Sequence, residues 1–181
     1  IGSNLNTVSG NVVKGPLSNA VVYLDFDDDG AFTDGTDVQM RTGSSGEFEL
    51  DSGGASYTIR VITDSTTEDT SSGAVLADLK LSAPSGAGVV TPLTTLMQEG
   101  DLSAAQLAAV LSLPAGVDPL EFNPYAAGVD AAIALDVEGL SQKIVATIQA
   151  VAAVGEGSGL TASEAFDSAL DGLVSVLDQR V

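Results

Sequence analysis

Six carboxylates fall within thirteen residues of this chain, in Asp25-Phe26-Asp27-Asp28-Asp29-Gly30-Ala31-Phe32-Thr33-Asp34-Gly35-Thr36-Asp37. Carboxylates crowded this closely repel one another, and a bound cation relieves that repulsion. The spacing points to calcium. Asp25, Asp27 and Asp29 take alternate positions 1, 3 and 5 of a loop, Gly30 stands at 6 where a sharp turn is needed, and Ala31 at 7 can offer its carbonyl. The far end departs from an EF-hand. Position 12 is Thr36, which cannot chelate bidentately, and the nearest carboxylates are Asp34 and Asp37 at 10 and 13. A strand rather than a helix precedes the loop. The spacing thus offers Asp25, Asp27, Asp29 and the Ala31 carbonyl to Ca2+ on a β scaffold, with Asp34 and Asp37 the acids nearest its far end and Asp28 turned outward by the alternation. The plain alternative is a solvated acidic turn, since Asp and Gly are ordinary turn residues.

The rest of the composition narrows the chemistry further. The 181 residues hold Lys+Arg 6 against Asp+Glu 25, a formal net charge of −19, with no His, Cys or Trp. No Ser-His-Asp triad, Cys nucleophile, thiolate cluster or imidazole-ligated metal can be built from this chain alone, and oxygen ligands suit hard cations. The acidic surface repels phosphate backbones and anionic lipid, which argues against nucleic-acid binding and membrane insertion. A hydrophobic content of 44% and a mean hydropathy of +0.28 supply a packed core rather than disorder. Of the other acids, Asp64, Glu68 and Asp69 lie in a Thr/Ser-rich stretch that reads as a solvated loop in preference to a second weak ion site. Asp130, Asp136 and Glu138 read as the wet face of one helix, and Asp167, Asp171 and Asp178 as that of another. A glycosidase-like carboxylate pair needs a specific spacing in a cleft, and no pair is singled out. The chain opens at Ile1-Gly2-Ser3 without Met or a basic and apolar leader, which reads as a fragment or processed product.

The elements that must hold the loop divide by period. Val8–Val13, Ala20–Phe26, Val38–Thr42, Phe48–Leu50, Tyr57–Thr63, Leu79–Ser82 and Val89–Val90 are short β-branched or alternating runs between Gly, Ser, Asp and Pro. Ile59 and Val61 fall on one face of their run, and Thr58, Arg60 and Ile62 on the other. Gly43-Ser44-Ser45-Gly46 reads as a hairpin connection. From Thr91 the period becomes helical. Thr91-Pro92 starts a helix that Gly100 stops; Ser103-Ala-Ala-Gln106 is a capping box for a helix through Leu111; Thr161-Ala-Ser-Glu164 is a second box. Val129–Val154 reads as a long Ala-rich helix with Ile133, Val137, Leu140, Ile144, Ile148 and Val151 on its stripe, interrupted by 155–159. Phe166, Leu170, Leu173 and Leu177 line the last helix. The fold class expected is α+β: an N-terminal antiparallel β-sandwich over residues 1–90, and over residues 91–181 a small helical bundle docked on it. Pro84-Ser85-Gly86-Ala87-Gly88 is the joint, and no internal repeat is present.

The segment Gly10-Asn-Val-Val-Lys-Gly15-Pro16-Leu17-Ser-Asn-Ala20-Val-Val-Tyr-Leu-Asp25, the Asp/Gly loop, and Thr42-Gly-Ser-Ser-Gly46-Glu-Phe48-Glu-Leu50 together resemble the carboxypeptidase-regulatory-like (prealbumin-like) sandwich modules and the B-type repeats of bacterial surface proteins. The likeness covers about residues 8–63. It implies a Greek-key sandwich with calcium ligands at Asp25, Asp27, Asp29, Asp34 and Asp37. Asp27 stands where the family often has Asn, and the loop is one residue longer, which leaves the roles of Asp34 and Asp37 open. Val89-Val-Thr-Pro-Leu-Thr-Thr-Leu96 is similar to an element of large secreted bacterial proteins, including calcium-dependent repeats-in-toxin (RTX) adhesins, in which a helical segment follows such a sandwich. There Thr91–Leu96 would pack and cap.

These readings lead to a non-enzymatic, calcium-stabilised extracellular module of a large bacterial surface adhesin. Its partners would be neighbouring modules of the same longer chain, and the module itself is expected to be monomeric. The alternative is an accessory module of a secreted protein or hydrolase that holds a glycan or peptide. Three Tyr, five Phe and no Trp leave few stacking platforms for sugar.

Overall fold

The β-branched runs of the first half and the capped, Ala-rich runs of the second become separate sets of strands and helices. The computed structural model describes residues 6–180; the expectation about Ile1-Gly2-Ser3 lies outside the described residues. The described residues are α+β, with three sheets and four helices.

The four-stranded sheet positions the acidic loop. Its order is β4 (Val38–Arg41), β3 (Val21–Asp25), β6 (Thr58–Ile62), β9 (Lys80–Ala83), antiparallel throughout. The loop joins β3 to β4, so a strand does precede it. Register then sorts the side chains. Val22, Leu24, Ile59, Val61, Leu81 and Ala83 go into the core. Tyr23 pairs with Arg60, Arg60 with Ser82, and Asp25 with Thr58, which puts this polar set on the opposite face by the two-residue period.

A three-stranded sheet runs β10 (Val89–Val90), β1 (Thr7–Val12), β5 (Glu47–Asp51). The expectation of antiparallel pairing fails once here, because β1 and β10 are parallel. A chain returning to an edge after a long excursion is not bound to the antiparallel sense of a tight hairpin. The turn at Gly43–Gly46 forms, with Gly46 N donating to Gly43 O at 3.1 Å. It is not a hairpin within one sheet: β4 and β5 belong to different sheets, and the turn carries the chain between them. The third sheet, β2 (Leu17–Ser18), β7 (Glu68–Asp69), β8 (Ala74–Val75), consists of two-residue strands too short to show a period.

Helix α1 (Pro92–Glu99) starts at Thr91, whose hydroxyl accepts from Leu93 N and Thr94 N, and ends at Gly100. Its threonines complete edge strand β9: Thr95 Oγ1 accepts from Ser82 N at 3.0 Å, and Thr94 Oγ1 donates to Ser82 O at 2.8 Å. A covered edge offers no template for foreign strands. Helix α2 (Ala104–Leu111) opens on the predicted Ser103–Gln106 box and stops at Ser112 in the left-handed region. The joint before α1 is fixed, since Gly88 N and Val89 N both donate to Leu120 O.

Helices α3 (Ala131–Gly157) and α4 (Ala162–Asp178) pack on each other. The expected interruption from 155 is displaced, because α3 continues to Gly157. A Cβ on Gly155 would stand 3.2 Å from the Ala165 Cβ, so that glycine serves close helix approach rather than a break. Val151, expected on the apolar stripe, is 53% exposed, and Ala152 is buried instead. The buried positions are 137, 141, 144, 145, 148 and 152, so the stripe shifts by one residue from the predicted 140 and 151 to 141 and 152. Asp130 is exposed, as expected, and is also the N-cap of α3, accepting from Ala132 N and Ile133 N. One core cluster runs through both halves, from Val8, Leu24 and Ile59 through Leu93, Leu96 and Leu107 to Ile144, Phe166 and Leu170.

Candidate metal centre

Asp25 ends β3 on the polar face of the sheet, yet its side chain is fully buried. One oxygen is committed: Oδ2 accepts from Arg60 Nε at 2.6 Å and from Gly30 N at 3.0 Å. The other, Oδ1, is buried without a hydrogen-bond partner among the described residues. A buried carboxylate oxygen without a donor costs free energy unless something else meets it.

Asp25, Asp27 and Asp29 each bring an oxygen to within 4.8 Å of the others. This three-aspartate group could hold a metal ion. Gly30 makes the turn the spacing asked for, with φ +79°, a conformation costly to any residue with a Cβ. The turn lets Asp29 Oδ1 accept from Ala31 N at 2.8 Å, and lets Tyr23 donate from its hydroxyl to Gly30 O at 3.1 Å. Phe32 stands edge-on to the Tyr23 ring at 5.9 Å, so the loop folds back over the sheet.

The remaining expected ligands are placed differently. Asp37 is nearly buried and ties the loop's ends, with Oδ1 accepting from Phe26 N at 3.1 Å and Oδ2 from Thr33 N at 2.8 Å. Asp34 is exposed and forms an isolated bridge with Asp37. Neither belongs to the three-aspartate group, and Ala31 joins the site through its amide. Asp28 is exposed as expected but not idle: its Oδ1 accepts from Thr58 Oγ1 and Arg60 Nη2, each at 3.1 Å.

The electrostatics follow from this placement. Burial pushes the Asp25 carboxyl up, but the Arg60 hydrogen bond, the Gly30 amide and the Arg60 charge outweigh it and hold it below the ordinary range. Asp27 is pushed up by desolvation and by the charges of Asp29 and Asp37. Burial takes the Tyr23 phenol to about 12. Two of the three clustered acids thus differ in where their compensation comes from: Asp25 has a guanidinium, and Asp27 faces other acids.

Sequence reasoning missed Arg60 as a member of the site. Its guanidinium meets Asp25, Asp28 and, through Nη1 at 3.2 Å, Glu99 of α1. The available signal was a lone base on the polar face of a strand in a chain with only six. Asp69 was also misread. It is buried, not solvated, and its Oδ1 accepts from Ser71 N and Ser71 Oγ while Oδ2 accepts from Ser72 Oγ. Asp64 pairs with Arg41 at 2.7 Å. Beside the loop lies a cleft of about 370 Å³, bordered by Asp29, Arg60, Lys80, Glu99 and Asp167. No described helix is long and apolar enough to cross a membrane.

Comparison with protein-family models, with curated proteins and with solved structures returns no match for this chain.

Proposed function

We propose that this chain is a non-enzymatic, calcium-stabilised extracellular module of a large bacterial surface adhesin, serving extension or adhesion. In this reading the four-stranded and three-stranded sheets are the layers of a prealbumin-like, Greek-key sandwich. The observation that carries the calcium assignment is Asp25 Oδ1, buried and unpartnered beside Asp27 and Asp29. The donors are all hard oxygens, which suit a hard cation, and their alternation ahead of a glycine is the spacing of loops that give calcium its six to eight ligands rather than of the tight octahedron of magnesium. Asp34 and Asp37 complete the ligand set either through water or after the loop tightens on the ion. Extracellular modules bind calcium with affinities of about 10⁻⁴–10⁻³ M, so the loop would be ordered outside the cell and looser where calcium is scarce. Neighbouring modules of the same longer chain are the expected partners.

Calcium titration by calorimetry tests the assignment. The wild-type chain should bind, and Asp27→Ala with Asp29→Ala should lose the binding while keeping its folded spectrum. A double variant that binds as wild type places the site elsewhere.

The cleft beside the loop favours a second reading, an accessory module that holds a peptide or glycan. Its walls carry paired charges, and its one aromatic, Tyr23, is buried, so a glycan array is expected to stay blank. A specific glycan hit would reverse that order.

A further inference from the structure

The loop is not isolated from the helices. A chain of contacts runs from Asp25 Oδ2 to Arg60 Nε at 2.6 Å, from Arg60 Nη1 to Glu99 Oε1 at 3.2 Å, and from Glu99 Oε1 to Ser82 Oγ at 2.7 Å. It links the last residue of β3, the centre of β6, the edge strand β9 and the last turn of α1. Arg60 does two things to the three-aspartate group. By taking Oδ2 it fixes the Asp25 carboxylate so that Oδ1 alone is left over. By its charge it opposes a dication, and Asp28 and Glu99 moderate that opposition because they share the guanidinium.

We infer that ion occupancy of the Asp25–Asp27–Asp29 group and docking of α1 on the sheet are thermodynamically linked through Arg60 and Glu99, with Arg60 as the positioning residue for Asp25. The inference rests on the calcium reading above. An ion on Oδ1 draws on the negative charge of Asp25, which shifts the balance of the guanidinium toward Glu99 and Asp28 and holds the end of α1 more tightly. Linkage is reciprocal: whatever strengthens the Arg60–Glu99 contact strengthens ion binding by the same factor.

Among the described residues Glu99 hydrogen-bonds Arg60 and Ser82 and is not one of the three clustered aspartates, so Glu99→Gln separates relay from ligation. Asp167→Asn removes one negative charge from the same cleft, where Asp167 pairs with Lys80 rather than Arg60, and controls for net charge. Calcium affinity of the full chain is measured by calorimetry in wild type and both variants, together with amide hydrogen exchange of α1 with calcium and with EDTA. The expected result is a loss of calcium affinity of about five-fold or more in Glu99→Gln, little change in Asp167→Asn, and calcium-dependent protection of the α1 amides in wild type that Glu99→Gln abolishes. If wild type binds calcium but both variants match it, or α1 exchange ignores calcium, the linkage is wrong while the site stands. If wild type does not bind calcium at all, the underlying reading falls and the linkage with it.

Discussion

At the scale of residues, the chain uses buried carboxylates in two ways. Asp25 keeps one oxygen over, whereas Asp69 commits both oxygens to the turn that follows it, at 2.6–2.9 Å. Burial pushes the Asp69 carboxyl up, but the Ser71 and Ser72 bonds and the nearby Lys14 charge bring it below the ordinary range. A folded-state value below the unfolded one stabilises the protein above the unfolded value, and that contribution disappears as pH falls through the folded value. Asp69→Asn should therefore cost about 1–3 kcal/mol near neutral pH, and the gap to wild type should narrow as pH drops below about 4. Urea melts across that range check it; a gap independent of pH would assign the cost to packing alone. Asp25, Asp27, Asp29 and Gly30 were legible because their meaning lies in adjacent positions. Arg60 and Asp69 were not, since the partner of one arrives through strand register 35 residues away and the burial of the other through pairing of β7 with β2.

At the scale of elements, α1 is the best example of what sequence can and cannot convey. Its start at the adjacent Thr91-Pro92 pair and its end at Gly100 are local signals, as are the boxes opening α2 and α4, which were readable from spacings of three residues. The second role of its threonines was not readable, because it depends on which edge strand α1 meets. Thr94 Oγ1 accepts from Thr91 N at 2.8 Å and donates to Ser82 O, all in buried surroundings. Thr94→Val keeps the shape and strands both partners, so a loss of about 1–3 kcal/mol is expected in denaturant melts; a loss under about 0.5 kcal/mol, the level of an ordinary surface change, would mean water replaces the hydroxyl. The turn at Gly43–Gly46 teaches the same lesson, since glycine marks a turn without naming the sheet it leads to. The two-residue strands β2, β7 and β8 lie below the length at which alternation has meaning.

For the whole molecule, the change of period at Thr91 conveyed two kinds of structure but not how they meet. They share one core cluster, and ion pairs reinforce it at two places, Arg60–Glu99 and Lys80–Asp167. Around that core sits a formal charge of −19, six of whose acids crowd one loop. Repulsion in such a chain falls with added salt, so a specific ion effect has to be separated from screening. The central claim is that a calcium ion at the Asp25–Asp27–Asp29 group stabilises this fold, and thermal melting at matched ionic strength, with calcium or with EDTA, tests it most directly. At calcium about 100-fold above its dissociation constant, mass action supplies about 2.7 kcal/mol, which for a chain of this size raises the melting temperature by about 5–10 °C. Asp27→Ala with Asp29→Ala should show no such rise. A wild-type melting temperature that is the same in calcium and in EDTA would contradict the account.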